Sequence, residues 1–152
     1  MLFSESLKDI LQKSVDDKFY FNEDTEERIK ESVKVDRYFN GVEILYNQKG
    51  GARMGYSIFG TNGVSSTLTC STSRHYERYS VADGFRRLTP TEYARIQGFP
   101  DNHCSTASQR LEYVLYGNAV PPAMVEWALA KAMAPEKVCD ISLLTSRQKE
   151  IF

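Results

Sequence analysis

A thiolate is the side chain best suited to attack carbon at neutral pH, and it is also a soft metal ligand, so the cysteines come first. Cys70, Cys104 and Cys139 are odd in number and fall in no CxxC or Cys/His ligand spacing. That pattern argues against a disulfide framework and against zinc. His75 and His103 are isolated in the same sense, with no ligand or triad spacing around them. Free thiols buried as small hydrophobes, and no metal, are the expectation.

The arginines suggest a different chemistry. A net charge of −1 hides an uneven distribution. Residues 1–48 carry seven basic side chains against eleven acidic ones. Residues 49–95 carry seven (Lys49, Arg53, Arg74, Arg78, Arg86, Arg87, Arg95) against Glu77, Asp83 and Glu92, and residues 96–152 carry five against six. The middle stretch is also rich in Gly, Ser and Thr and interleaved with Tyr56, Tyr76 and Tyr79. Such a stretch could track a phosphate backbone and present side chains to base edges, or it could be a solvated loop region with ordinary surface arginines.

A third candidate is the turn GNAVPP at 117–122. Gly117 reads as the end of one helix, the Pro121-Pro122 pair as the start of the next, and Asn118 lies between them. An Asn in such a turn either bonds its own backbone or holds a ligand. After Pro122, Val125, Leu129 and Met133 recur at helical spacing, with Trp127 on a neighbouring face, which reads as a docking helix.

These groups need a scaffold, and 152 residues have room for one ordinary domain that buries roughly 68–70% of its unfolded surface. Hydrophobic residues at 41% and aromatics at 12% suffice for a packed core. The first residues, MLFSESLKDI, lack a basic region followed by an apolar run, and no stretch of about 18 apolar residues occurs, so a cytoplasmic location is expected. Helices are expected at about 4–14, where Leu7, Ile10 and Leu11 share a face, and at 22–35, capped by Asn22. Residues 41–82 read as short strands and turns: VEILY at 42–46, Gly50-Gly51, a Tyr56–Phe59 run, the Thr61-Asn62-Gly63 turn and STLTCST at 66–72. From 86 onward the pattern is helical. The FGTNG stretch at 59–63 is no dinucleotide loop, because its glycines are wrongly spaced and no strand-turn-helix unit follows.

Local signals agree best in RRLTPTEYARIQGFP at 86–100. Thr89 is placed as N-cap, Pro90 as first helical residue, Glu92 as reciprocal capping-box partner, and Leu88 with Tyr93 as a hydrophobic staple. Gly98 in left-handed geometry, followed by Pro100, stops the helix. Capping chemistry accounts for a short rigid helix but not for the Arg86, Arg87 and Gln97 that frame it.

This segment resembles the ninth motif of the cytosine-C5 DNA methyltransferases nearly position by position, and GNAVPP resembles the tenth, in the correct order and spacing. The family's target-recognition domain lies just before the ninth motif and carries a Thr-Leu pair, which Thr67-Leu68 resembles; Tyr56-Ser57 resembles the Tyr-Ser step before it. LKDIL and KFYFNEDTEERI look like the connector that precedes recognition domains. Thr91 departs from the pattern where an Arg is frequent, and residues 139–152 have no counterpart.

The resemblance implies an α+β arrangement: a helical connector (1–40), a short-stranded, loop-rich target-recognition region (41–85), a helical region that docks on a catalytic subunit (86–135) and a tail (136–152). It implies DNA contact through Arg53, Tyr56, Thr67, Leu68, Ser73, Arg74, His75, Tyr76 and Arg78, in loops at about 47–55 and 70–79. It also implies closure of Gly117, Asn118 and Ala119 over the methionine part of S-adenosylmethionine. The family's Pro-Cys nucleophile is absent: Thr69, His103 and Val138 precede the cysteines. The Glu-Asn-Val and Gln-x-Arg-x-Arg motifs are absent as well. The expected role is therefore the recognition subunit of a heterodimeric restriction-modification methyltransferase whose partner chain carries motifs I to VIII and the α/β catalytic fold. The alternatives are an inactive C-terminal fragment of a single-chain enzyme and a non-catalytic DNA-binding module.

Overall fold

The computed structural model describes residues 6–47, 56–70 and 77–133. Arg53, Ser73, Arg74, His75, Tyr76, the Gly50-Gly51 turn, Cys139 and the tail lie outside the described residues. The chain order is α1 (Leu7–Ile10), a 3-10 turn (Asp17–Phe19), α2 (Glu23–Lys30), β1 (Val33–Phe39), β2 (Val42–Asn47), β3 (Ser57–Phe59), β4 (Arg78–Val81), β5 (Gly84–Arg86), α3 (Pro90–Gln97), α4 (Gln109–Asn118) and α5 (Pro122–Met133). The five strands form one sheet in sequence order, antiparallel except where β3 pairs parallel with β4. The expected α+β class holds.

Several local expectations are corrected. The helix expected over 22–35 is capped by Asn22 as anticipated, with the side chain accepting from the Thr25 N–H at 3.1 Å, but it ends at Lys30. Val33–Phe39 is instead an edge strand, because its valines and aromatics favour extended backbone and Asn40-Gly41 folds it back on β2. Asn40 and Gly41 adopt φ of 49° and 81°, the left-handed pair that a two-residue hairpin turn requires. The first helix is one turn, not three, because Leu11 leaves it in extended backbone. Residues 66–70 of the STLTCST stretch form no strand. Ser66 and Leu68 are instead buried, and Tyr79 on β4 bonds both the amide and the hydroxyl of Ser66 at 3.1 and 2.8 Å.

The main core draws on α1, the sheet, α3 and α4, through Leu7, Phe59, Leu68, Tyr79, Tyr93 and Tyr116 among others. A second cluster joins Ile29 of α2 to Ile58 and Phe85 beneath the sheet strands β3 and β5. The last helix contributes to neither. No residue of α5 is buried, and Val125, Leu129 and Met133 are 44%, 56% and 84% exposed. Among the described residues no helix is long and apolar enough to cross a membrane.

Gly98 ends α3 at φ 77°, ψ 29°, as the motif anticipates. An L side chain there pays the left-handed penalty, so Gly98→Ala should destabilise the chain by about 1–2 kcal/mol in urea unfolding. An unchanged midpoint would show that the helix end relaxes freely.

Candidate nucleic-acid and cofactor face

The site is organised by one carboxylate. Glu92, fully buried on α3, accepts two bonds from Arg86 of β5, Nη1 to Oε2 at 2.8 Å and Nη2 to Oε1 at 2.7 Å. It also accepts the backbone N–H of Thr89 at 2.8 Å and of Gln12 at 2.9 Å. The capping box is therefore present as anticipated, with Thr89 Oγ1 accepting from the Glu92 N–H at 3.1 Å and donating to Gln12 Oε1 at 2.6 Å. Burial pulls the Arg86 guanidinium down, but its bonds to Glu92 outweigh this and hold its pKa above the ordinary value. The capping carboxylate also ties the strand to the N-terminal segment, which explains the framing Arg86.

Two more side chains of α3, Arg95 and the framing Gln97, also hold neighbouring segments. Arg95 makes a bidentate bond to Asp101 at 2.8 and 2.6 Å and donates to the Ile10 carbonyl at 2.8 Å. Gln97 Nε2 donates to the carbonyls of Tyr116 at 2.7 Å and Ala119 at 3.3 Å. It thereby holds the last turn of α4, whose C-terminal carbonyls lack helical partners. Helix α4 runs one residue past the expected stop: Gly117 is inside it, Asn118 is its exposed last residue, and Ala119 is the C-cap. Gly117 is instead required by proximity. A Cβ there would lie 2.5 Å from the Cys70 nitrogen and 2.6 Å from the carbonyl carbon and oxygen of Thr69. The GNA turn thus sits directly on the stretch that follows Thr67-Leu68.

That stretch is pinned from below. Thr67 is exposed between buried Ser66 and Leu68. Thr69 Oγ1 donates to Glu77 Oε1 at 3.0 Å, and Tyr93 of α3 donates its phenol to Glu77 Oε2 at 2.6 Å. Burial pushes the Tyr79 phenol up to about 12, and burial with the Glu77 charge pushes Tyr93 well above the usual phenol value, so both stay protonated across the physiological range. Of the residues expected at the DNA, Leu68 is buried, with its side chain packed in the main cluster. Arg78 lies with its guanidinium 5.8 Å from the Phe21 ring centroid, and burial lowers its pKa. Tyr56 is half-buried just before β3. Thr67 is the exposed one of the four that are described.

Sequence reading passed over Glu77 and left Gln97 without a role. A signal for the former was available in the charge pattern. The basic stretch holds three acids, and each is bonded: Glu92 to Arg86, Glu77 to Thr69 and Tyr93, and Asp83 to the Tyr20 phenol at 2.6 Å. Among the described residues no group of His, Cys, Asp and Glu is arranged to hold a metal ion.

Two substitutions probe this arrangement. Glu92→Ala leaves a buried guanidinium uncompensated and should cost about 3–5 kcal/mol in chemical unfolding. Gly117→Ala drives a methyl group into the Thr69–Cys70 backbone and should cost about 1–3 kcal/mol while shifting amide signals at both sites. A loss under about 0.5 kcal/mol, the scale of an ordinary surface change, would contradict either account.

The chain is similar to known proteins in sequence and in fold. The family model for the C-5 cytosine-specific DNA methylases covers residues 2–134. The type II methyltransferase M.DsaV of Dactylococcopsis salina is 30% identical over 148 residues, taking in 93% of this chain and 37% of that enzyme. M.HgiCI of Herpetosiphon aurantiacus is 31% identical over 112 residues, 72% of this chain and 26% of that enzyme. The chain therefore spans well under half the length of either relative. A solved methyltransferase of Entamoeba histolytica, EhMeth, shares the fold at a TM-score of 0.57 and 15% identity, over 88% of this chain and 42% of that one. With the family model spanning most of its length, the chain belongs to the C-5 cytosine-specific DNA methylases.

Proposed function

We propose that this chain is the DNA-recognition part of a DNA (cytosine-5-)-methyltransferase of restriction-modification type. In this reading it works in a heterodimer with a partner chain that brings the thiolate nucleophile and the cofactor-binding sheet. The observation that carries the reading is the seating of Gly117 on the Thr69–Cys70 backbone, which sets the GNA turn beside the Thr67-Leu68 stretch. Methylating C5 of cytosine needs a flipped base, a thiolate on C6 and a methyl donor, so DNA and cofactor must be gripped side by side.

Each residue then has a part. Thr67 rests on the DNA backbone near the flipped nucleotide, held there by Ser66 and Leu68 beneath it. Arg53 and Arg74 read base edges in the major groove, where a guanidinium matches guanine. Arg78 braces the base of this loop from its place over Phe21. S-adenosylmethionine, when bound, supplies the methyl group as an electrophile. The residues here fit its methionine end. The C-terminus of α4 is the negative pole of a helix dipole, suited to ammonium and sulfonium groups, and Asn118 offers an exposed amide at that pole. The apolar face of α5, with Val125, Leu129 and Met133 exposed, docks on the catalytic half, where fully burying each such side chain contributes about 1.5–3 kcal/mol.

The test is methyl transfer from labelled S-adenosylmethionine to duplex DNA, by the chain alone, mixed with a catalytic half bearing the Pro-Cys nucleophile, and fused behind that half. The chain alone should be inactive and the mixture active. Asn118→Ala should lower cofactor affinity roughly ten- to a hundred-fold, the scale of a lost bond to a charged group. Deleting 65–79 should abolish transfer. Activity of the chain alone overturns the missing nucleophile, activity of the fusion only overturns the separate partner chain, and inactivity of both overturns the recognition role.

A further inference from the structure

Among the described buried polar residues, Thr89 and Glu92 build a helix cap and Glu43 holds the turn at Asn62, whereas Glu77 completes no cap or turn. It is 5% exposed, and each of its carboxylate oxygens bonds a different element: Oε1 the Thr69 hydroxyl at 3.0 Å, Oε2 the Tyr93 phenol at 2.6 Å. Thr69 belongs to the stretch that follows Thr67, and its backbone is the floor on which Gly117 rests with no room for a methyl group. Tyr93 belongs to α3, the helix whose Gln97 holds the carbonyls of Tyr116 and Ala119. The ring of Tyr93 meets that of Tyr113 on α4 edge-on, with centroids 4.9 Å apart. Two routes, one through backbone packing and one through α3, therefore run from Glu77 to the same turn.

We infer that Glu77 is a positioning residue that fixes the Thr67–Cys70 stretch and the Gly117–Ala119 turn as one unit, so that DNA at the first and cofactor at the second raise each other's affinity. The functional half of this statement rests on the proposed role of the two segments; the mechanical half does not. Glu77 touches neither ligand and acts through Thr69 and Tyr93. Displacing Thr69 shifts the surface under Gly117, and anything that orders the turn orders the floor as well. Coupling of this kind is reciprocal by thermodynamic necessity.

Two measurements test it. In the full chain, amide hydrogen exchange should rise roughly ten-fold or more at both 66–70 and 116–119 in Glu77→Ala, while the β1–β2 hairpin keeps its protection. Glu77→Gln, which keeps an acceptor, should restore most of it. If Glu77→Ala does not fold, Thr69→Val and Tyr93→Phe each remove one bond and should show the same paired response at smaller size. Faster exchange at 66–70 with no change at 116–119, or a uniform rise everywhere, overturns the mechanical link. In the enzyme reconstituted with its catalytic half, the Kd for S-adenosylmethionine without cognate duplex, divided by that with it, should be at least about five in the wild type and fall toward one in Glu77→Ala. A wild-type ratio of one, or a ratio that Glu77→Ala leaves alone, overturns the binding link. An inactive reconstituted pair with the paired exchange response intact would sink the proposed function and leave the mechanical link standing.

Discussion

Arg86 and Glu92 meet at 2.7 Å with 3% and 0% of their side chains exposed. Ions taken this completely out of water gain little net stability from one another, because desolvation offsets most of their attraction. What the pair supplies is geometry. The carboxylate must collect enough donors to be tolerated, and it finds them on three separate pieces of chain: the end of β5, the cap of α3 and the backbone at Gln12. No one of the three can move without stranding a buried charge. The sheet, the N-terminal segment and the ninth-motif helix are therefore locked at one point, and α3 in turn sets the α4 end through Gln97 and the loop base through Tyr93.

This explains what could be read in the amino-acid order. Helix α3 was legible to the residue because its cap, first-turn proline and terminal glycine are short-range signals that agree with one another. The Asn40-Gly41 hairpin carried an equally local signal that went unused, and with it β1 was mistaken for the end of a helix. Other features could not be read locally. That Gly117 is needed for contact and not for helix termination depends on a neighbour 47 positions earlier in sequence, Cys70. That Arg78 lies over Phe21 and Leu68 points into the core depends on how β4 pairs with β3. Residue type suggested an interface; depth within the fold decided which members face outward.

The charge distribution has a similar lesson. The locally basic stretch buries two of its acids, Glu77 and Glu92, but Glu92 is paired with the buried Arg86 of the same stretch, and Asp83 stays exposed. In the opposite direction, α2 begins with Glu23, Asp24 and Glu26 where the dipole of a helix start favours them. A near-neutral total can therefore conceal charges that are unevenly distributed along the chain.

The parallel pairing of β3 with β4 has a consequence for how such a chain can diversify. Parallel neighbours cannot be joined by a tight turn, so residues 60–77 must cross from one end of the sheet to the other. Lengthening such a crossover costs little in closure entropy, about 0.6 kcal/mol per doubling. Among the described residues it is anchored at many points: Asn62 on Glu43, Gly63 on Leu7, Val64 on Gly41, Ser66 on Tyr79, Leu68 in the core and Thr69 on Glu77. The length of chain between Thr69 and Glu77 can therefore change at small entropic cost without altering the register that β3 and β4 share, so sequence added there is carried by an unchanged scaffold.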